Sequence, residues 1–112
     1  MENILKEIKK FRDERDWGKF HNPKDMAVSI VIEAGELLEH FQWKTNVEAG
    51  KHVKNHKDDI ADEIADVGLY LFELADNLGI NLMDAMRGKL EKNRKKYPVE
   101  KCLGIAKKYD KL

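Results

Sequence analysis

The sequence predicts an all-α protein whose protomer is a four-helix, antiparallel bundle-like fold. Apolar residues recur every three or four positions through most of the chain, which is the period of an amphipathic helix. Caps and helix-breaking residues divide this pattern into four segments with short links. No stretch alternates convincingly between apolar and polar residues as a strand does. We therefore expect one domain over residues 1–112, a length that can bury a single modest core.

The first two predicted helices are separated by the segment WGKFHNP. The first helix spans about residues 3–16, where apolar side chains recur at helical spacing. Asn22 followed by Pro23 is typical of an N-cap with proline in the first turn, and the second helix is predicted from there to about Gln42. This second helix is apolar on several sides, as is usual for a helix in an interior or an interface.

The second half of the chain is predicted to hold two more helices. The polar segment KTNVEAGKHVKNHK is predicted to be a connection with a short turn of helix. The third helix spans about residues 58–77 and is ended by Gly79. Asn81 caps a fourth helix that continues to Tyr97, because Pro98 cannot extend it.

The apolar second helix also predicts an oligomer. It carries more apolar surface than one small bundle can cover with its own chain. A second copy is the simplest cover, so we expect a two-fold homodimer, which can pair into a homotetramer.

Composition and charge exclude several classes of protein. The chain is 42% apolar and 38% charged, and no apolar run approaches the roughly 18 residues of a membrane-spanning helix. Its charged N-terminus lacks the apolar centre of a signal peptide, and its single cysteine, Cys102, cannot form an internal disulfide. These features predict a cytoplasmic protein with no membrane partner. Residues 87–112 are basic, but net charge is zero and residues 25–84 are strongly acidic, which argues against nucleic-acid binding.

Two pairs of acidic residues on apolar helices indicate a metal site. Glu33 and Glu36 are three residues apart and therefore lie on one helical face. Glu63 and Asp66 repeat this spacing on the third helix, with Tyr70 one turn further along. Carboxylates suit hard cations such as Mg²⁺ or Mn²⁺. The competing interpretation is that these acids pair with lysines on a solvated face.

The pattern leaves more than one chemistry open. Di-iron bundles use a Glu-x-x-His motif, which this chain lacks, so Mg²⁺-assisted attack of water on a phosphate is the more natural reaction class. His52 and His56 are four apart, but they are weak zinc candidates because no cysteine is near them. A non-enzymatic alternative is a helical interaction module whose acidic stripe binds a basic partner.

The chain resembles the MazG-like nucleotide pyrophosphohydrolases of the all-α NTP pyrophosphatase superfamily. Four blocks that occur in order carry this resemblance: FRDERDWGKFHNPKDMA, EAGELLEHFQW, DEIADVGLYL and KLEKNRKKYP. The chain is most similar to their short, single-domain, dCTP pyrophosphatase-like branch. The resemblance implies Mg²⁺-dependent hydrolysis of a (deoxy)nucleoside triphosphate to the monophosphate and pyrophosphate, in nucleotide-pool sanitation or dCTP-type turnover, with Mn²⁺ as a substitute metal. It also implies an α-helical dimer in which neighbouring chains contribute to the nucleotide pocket.

The resemblance further implies roles for individual residues. The catalytic and metal-binding acids are Glu33, Glu36, Glu63 and Asp66. The substrate-binding residues are Trp17, His21 and Trp43 in the base pocket, Tyr70 beside the acids, and Lys89, Asn93 and Arg94 in a basic signature suited to triphosphate oxygens. Without the resemblance, the two tryptophans fit hydrophobic staples of a loop and the basic residues fit a solvated face.

Overall fold

The computed structural model describes residues 2–106 and is all-α, as predicted, with no strand among those residues. Its helices are α1 (Glu2–Glu14), α2 (Pro23–Glu39), α3 (Asn46–Asn55), α4 (Lys57–Asn77), α5 (Leu82–Lys96) and α6 (Val99–Cys102), with a 3₁₀ turn at Gly18–Phe20. None of the helices in these residues is both long and apolar enough to span a membrane. The chain divides into two compact units, one ending at Gly79 and one beginning at Ile80. The four-helix bundle, the single domain and the oligomer stay predictions.

Four of the helices correspond to the four predicted segments. The predicted caps are present: the side chain of Asn22 accepts a hydrogen bond from the backbone N–H of Asp25 at 2.9 Å, and that of Asn81 accepts one from Asp84 at 3.0 Å. The second helix ends at Glu39 rather than near Gln42. A turn follows it, so the last predicted helical residues lie outside α2.

The segment between α2 and α4 was predicted to be a connection with one short helical turn, and this prediction is wrong. It forms α3, a helix of ten residues. The cause is a capping box: Thr45 Oγ1 accepts from the backbone N–H of Glu48 at 3.2 Å, and the Glu48 carboxylate accepts from the backbone N–H of Thr45 at 3.1 Å. Two of the amide donors at the start of the helix are satisfied in this way.

The packing of the first unit centres on α4. It pairs extensively with α2 and also contacts α1 and α3. Met26 of α2 and Ile60 and Ala75 of α4 are buried apolar residues of this core. An ion pair of 3.3 Å between Lys9 and Asp76 links α1 to α4. These contacts position the acidic residues of α2 and α4 and the wall of a cleft between α1 and α4.

Candidate active site

Three of the predicted acids meet where α2 packs against α4. Carboxylate oxygens of Glu33, Glu36 and Glu63 all lie within 4.8 Å of one another. The spacing of three residues puts the first two on one face of α2, and the α2–α4 packing brings the third to them. Side chains from two helices therefore form one acidic cluster.

The electrostatics of this cluster suit a cation. Burial, and after it hydrogen bonding to Glu36, raises the pKa of Glu33 and that of Glu63 above the ordinary value for glutamate. Repulsion from Asp66 raises both pKa values further. The Oε2 atoms of Glu33 and Glu63 are buried without a hydrogen-bond partner among the described residues. Buried carboxylate oxygens with no donor are costly, and an oxygen-preferring divalent cation satisfies them, so these residues fit such an ion.

Asp66 stands at the edge of this arrangement. It is close enough to raise the pKa of the glutamates, but its oxygens are not part of the group of three. It also lines a cleft of about 360 Å³ in the first unit. The acidic cluster and the cleft are therefore adjacent, with Asp66 between them.

The cleft lies within the first unit and has an apolar wall and a polar wall. Its volume is in the range of small-molecule sites. The apolar wall consists of Ile4, Ile8, Phe11, Trp17 and Leu69, and the polar wall of Glu7, Arg12, His21, Asp66, Tyr70 and Glu73. Trp17, His21 and Tyr70, three of the predicted substrate-binding residues, thus line one cavity.

The predicted residues in the cleft are held by specific contacts. The Trp17 ring packs edge-on against Phe11 with centroids 5.7 Å apart, and the residue remains 43% exposed. Burial, followed by the charges of Glu33 and Asp66, raises the pKa of Tyr70. Trp17 is therefore oriented but accessible, and Tyr70 stays a neutral hydroxyl beside the acids.

Sequence reasoning missed three charged residues in the polar wall: Glu7, Arg12 and Glu73. Glu73 is only 5% exposed, and its Oε1 lies 2.5 Å from Nδ1 of His21 and 3.7 Å from a guanidinium nitrogen of Arg12. Glu73 follows Tyr70 by three residues and Asp66 by seven, so the helical period places it on the same stripe of α4. That spacing was a signal that could have identified it.

The other predicted substrate-binding residues do not line this cleft. Trp43 lies in the turn after α2 with φ at 65° and is 92% exposed. Lys89, Asn93 and Arg94 belong to α5 in the second unit, where Arg94 forms an ion pair with Glu91. The roles of these four residues stay predictions.

The weak zinc candidates contact each other and a third histidine. The rings of His52 and His56 stack with centroids 4.1 Å apart, and Nε2 of His52 lies 2.8 Å from Nδ1 of His40. A ring nitrogen of His52 is thus engaged by another imidazole. Within residues 2–106, the group arranged for a metal ion is the glutamate cluster.

The fold and the site define a class: an all-α protein with a carboxylate cluster beside a small-molecule cleft. The chain belongs to the MazG-like family, which matches it over residues 28–112. It is 39% identical to dCTP pyrophosphatase 1 of Rattus norvegicus and 36% identical to that of Homo sapiens, alignments that each cover 100% of this chain and 67% of the relative. Its fold is similar to that of a pyrophosphatase from Archaeoglobus fulgidus, with a TM-score of 0.84 and 46% identity over 88% of this chain and 92% of the other.

These findings agree with the family resemblance seen in the sequence. The chain is an enzyme, a nucleoside triphosphate pyrophosphohydrolase.

Proposed function

We propose that this enzyme hydrolyses a deoxynucleoside triphosphate of the dCTP type to the monophosphate and pyrophosphate, with Mg²⁺ as its metal. The observation that carries the proposal is the glutamate cluster next to the cleft, in which two buried carboxylate oxygens have no hydrogen-bond partner within residues 2–106. The cluster offers a cation site, and the cleft offers room for a base. The names of the relatives support the substrate.

Glu33, Glu36, Glu63 and Asp66 are proposed to hold the metal, with Mn²⁺ as a substitute for Mg²⁺. A bound divalent cation would neutralise phosphate charge and lower the pKa of a coordinated water. In its absence, the two buried oxygens and the mutual repulsion of the acids disfavour full ionisation of the cluster.

The cleft residues are proposed to bind the nucleotide. Trp17 is accessible and can stack on a base, since indole rings stack on every base. Tyr70 stays protonated, so its hydroxyl can donate a hydrogen bond near the acids. We assign Lys89, Asn93 and Arg94 to the triphosphate, because cationic and amide donors suit its oxygens.

A homodimer is proposed as the active form, and a homotetramer as its doubled form. The exposed side of α2 carries a large apolar set: Val28, Val31, Ile32 and Leu38. A second copy of the chain is the proposed cover, and the exposed ring of Trp43 would then be available to a neighbouring cleft. Because the family match runs over both compact units, we treat residues 1–112 as one catalytic domain.

We place the reaction in the cytoplasm, since the free thiol of Cys102 fits a reducing compartment. No role for nucleic acid or membrane is proposed.

The decisive experiment is incubation of the purified protein with a panel of dNTPs and NTPs, with Mg²⁺ and with a chelator. We expect a monophosphate and pyrophosphate in equal amounts, only with the metal, and with dCTP among the best substrates. Release of orthophosphate would point to a different hydrolase. No turnover of any nucleotide would favour the non-catalytic interaction module with an acidic stripe.

A further inference from the structure

Glu73 is a buried carboxylate that the proposed metal site does not use. It lies in the wall of the cleft at 5% exposure, on the same stripe of α4 as Asp66 and Tyr70. Its Oε1 is 2.5 Å from Nδ1 of His21 and 3.7 Å from a guanidinium nitrogen of Arg12. A charged group this buried is rarely retained without partners, and here both partners come from the segment before α2.

The pairing defines which ring nitrogen of His21 carries hydrogen. An ionised carboxylate only accepts hydrogen bonds, so beside an ionised Glu73 the nitrogen that carries the hydrogen is Nδ1. The guanidinium of Arg12 lies 3.7 Å from the same oxygen of Glu73, and Arg12 is itself fixed by a 2.9 Å hydrogen bond from its Nε to Asp13. In a neutral imidazole with Nδ1 protonated, Nε2 is an acceptor.

His21 is held in place from its backbone as well. Its carbonyl oxygen accepts a 2.7 Å hydrogen bond from the side-chain amide of Asn77. No hydrogen bond to Nε2 is present among the described residues, and His21 lines the cleft. The cleft therefore has a preoriented hydrogen-bond acceptor that residues 2–106 leave available.

We propose that Glu73 is a positioning residue that holds His21 as an acceptor. The cleft thereby selects bases with an amino group at C4 of a pyrimidine or C6 of a purine over bases with a carbonyl at that position. This rests on the proposed nucleotide hydrolysis. Cytosine and adenine carry an amino donor where uracil, thymine and guanine carry a carbonyl acceptor. A carbonyl opposite an acceptor leaves both groups without a hydrogen, which disfavours those bases.

The tautomer can be tested on the enzyme without substrate. Long-range ¹H–¹⁵N correlation spectra of the histidine rings at about pH 8.5, where neutral imidazole is the ordinary state, separate protonated from unprotonated ring nitrogens. The variant His21→Asn identifies the signals of that ring. We expect Nδ1 of His21 to be protonated and Nε2 unprotonated. A ring protonated at Nε2, or one exchanging evenly between the tautomers, overturns the proposal.

The selectivity is tested with three triphosphates that differ at one edge of the base: dCTP, dUTP and the deoxynucleoside triphosphate of 2-pyrimidinone. The last of these has a hydrogen atom in place of the 4-amino group. We expect kcat/KM for dCTP to exceed that for each of the others by roughly ten- to a hundredfold, mainly through KM. In Glu73→Met, which keeps the volume and removes the acceptor, the ratios should fall to within about threefold. Glu73→Gln should retain part of the selectivity, because an amide oxygen can still accept from Nδ1.

Asp76→Leu is the matched control, because it also removes an acid of α4 that pairs with a cation of α1. Its substrate ratios should equal those of the wild type. If the wild type hydrolyses no nucleotide, the proposed function fails. If it hydrolyses nucleotides and the ratios are unchanged in Glu73→Met, the function stands and the role of Glu73 is wrong.

Discussion

A carboxylate oxygen of Glu33 on α2 lies within 4.8 Å of one of Glu63 on α4, and the Oε2 atom of each residue is buried without a hydrogen-bond partner in the described part of the chain. Two helices that pack through apolar contacts thus hold like charges against each other. In the apo protein this arrangement opposes folding, because burial and repulsion both disfavour the ionised form. A cluster of charged residues that lowers the stability of the fold is typical of a functional site.

The first prediction concerns these two glutamates. Glu33→Gln and Glu63→Gln should each abolish Mg²⁺-dependent pyrophosphate release, since an amide is a poorer ligand of nearly the same shape. Both variants should remain helical, and their apo melting temperatures should equal or exceed that of the wild type, because a buried negative charge is gone. Added Mg²⁺ should raise the melting temperature of the wild type and have a smaller effect on either variant.

Glu39→Gln is the control, since Glu39 lies on the same helix but is exposed and outside the cluster. It should keep both turnover and the stabilisation by Mg²⁺. Near-normal activity in the two cluster variants would show that these residues are not the metal ligands.

The second prediction concerns the tryptophans. Trp17→Ala should raise KM for the nucleotide, because base stacking on an aromatic ring contributes about 1–3 kcal/mol. Trp43→Ala should act in the same direction if the exposed ring contributes to a neighbouring cleft. Phe20→Ala is the control, because Phe20 is an exposed aromatic residue near Trp17 that does not line the cleft. A lower melting temperature with unchanged KM in both tryptophan variants would assign them structural roles only.

The sequence predicts some features of the site better than others for a physical reason. The spacing of Glu33 and Glu36 depends only on the geometry of one helix, so their common face is predictable. The approach of Glu63 depends on how α2 packs on α4, so the repeated acidic spacing and the family resemblance could suggest it, but no local geometry requires it. Glu73 was missed because its partners, His21 and Arg12, are 52 and 61 residues away in the chain.

The helix α3 shows a different kind of error. Its polar composition gave little hydrophobic periodicity, and the segment was therefore interpreted as a connection. The capping box at Thr45 and Glu48 was visible in the sequence, and it marks the start of the helix. Local hydrogen bonding outweighs a weak apolar pattern at this position.

The third prediction concerns that capping box and its dependence on pH. Hydrogen bonds from Thr45, first from its backbone, hold the pKa of Glu48 below its ordinary value of 4.5. A carboxyl with a lowered folded pKa stabilises the fold above its unfolded pKa, and this stability is lost as pH falls through the folded value. Glu48→Gln should therefore melt below the wild type at neutral pH, and the difference should shrink as the pH falls below 4.5. A difference that persists in acid would show that the charge is not responsible.

Thr45→Ala is a second test of the same cap and does not depend on the charge. Loss of an N-cap hydroxyl costs about 1 kcal/mol, so its melting temperature should be lower at every pH. Glu39→Gln is again the control and should follow the wild-type melting curve.

The last prediction concerns assembly, and it is tested by two valines of equal exposure. Val31 on α2 and Val47 on α3 are both 71% exposed in the single chain. If the protein were a monomer, aspartate at either position would meet water and change little. If the apolar side of α2 is covered by a second copy, Val31→Asp buries an uncompensated charge in the interface, whereas Val47→Asp leaves assembly intact. Sedimentation at micromolar concentration should therefore show a dimer or tetramer for the wild type and Val47→Asp. Val31→Asp should be a monomer or unfolded, with pyrophosphate release lost although the acidic residues are present. A compact, active Val31→Asp monomer would show that the second copy is not needed for catalysis.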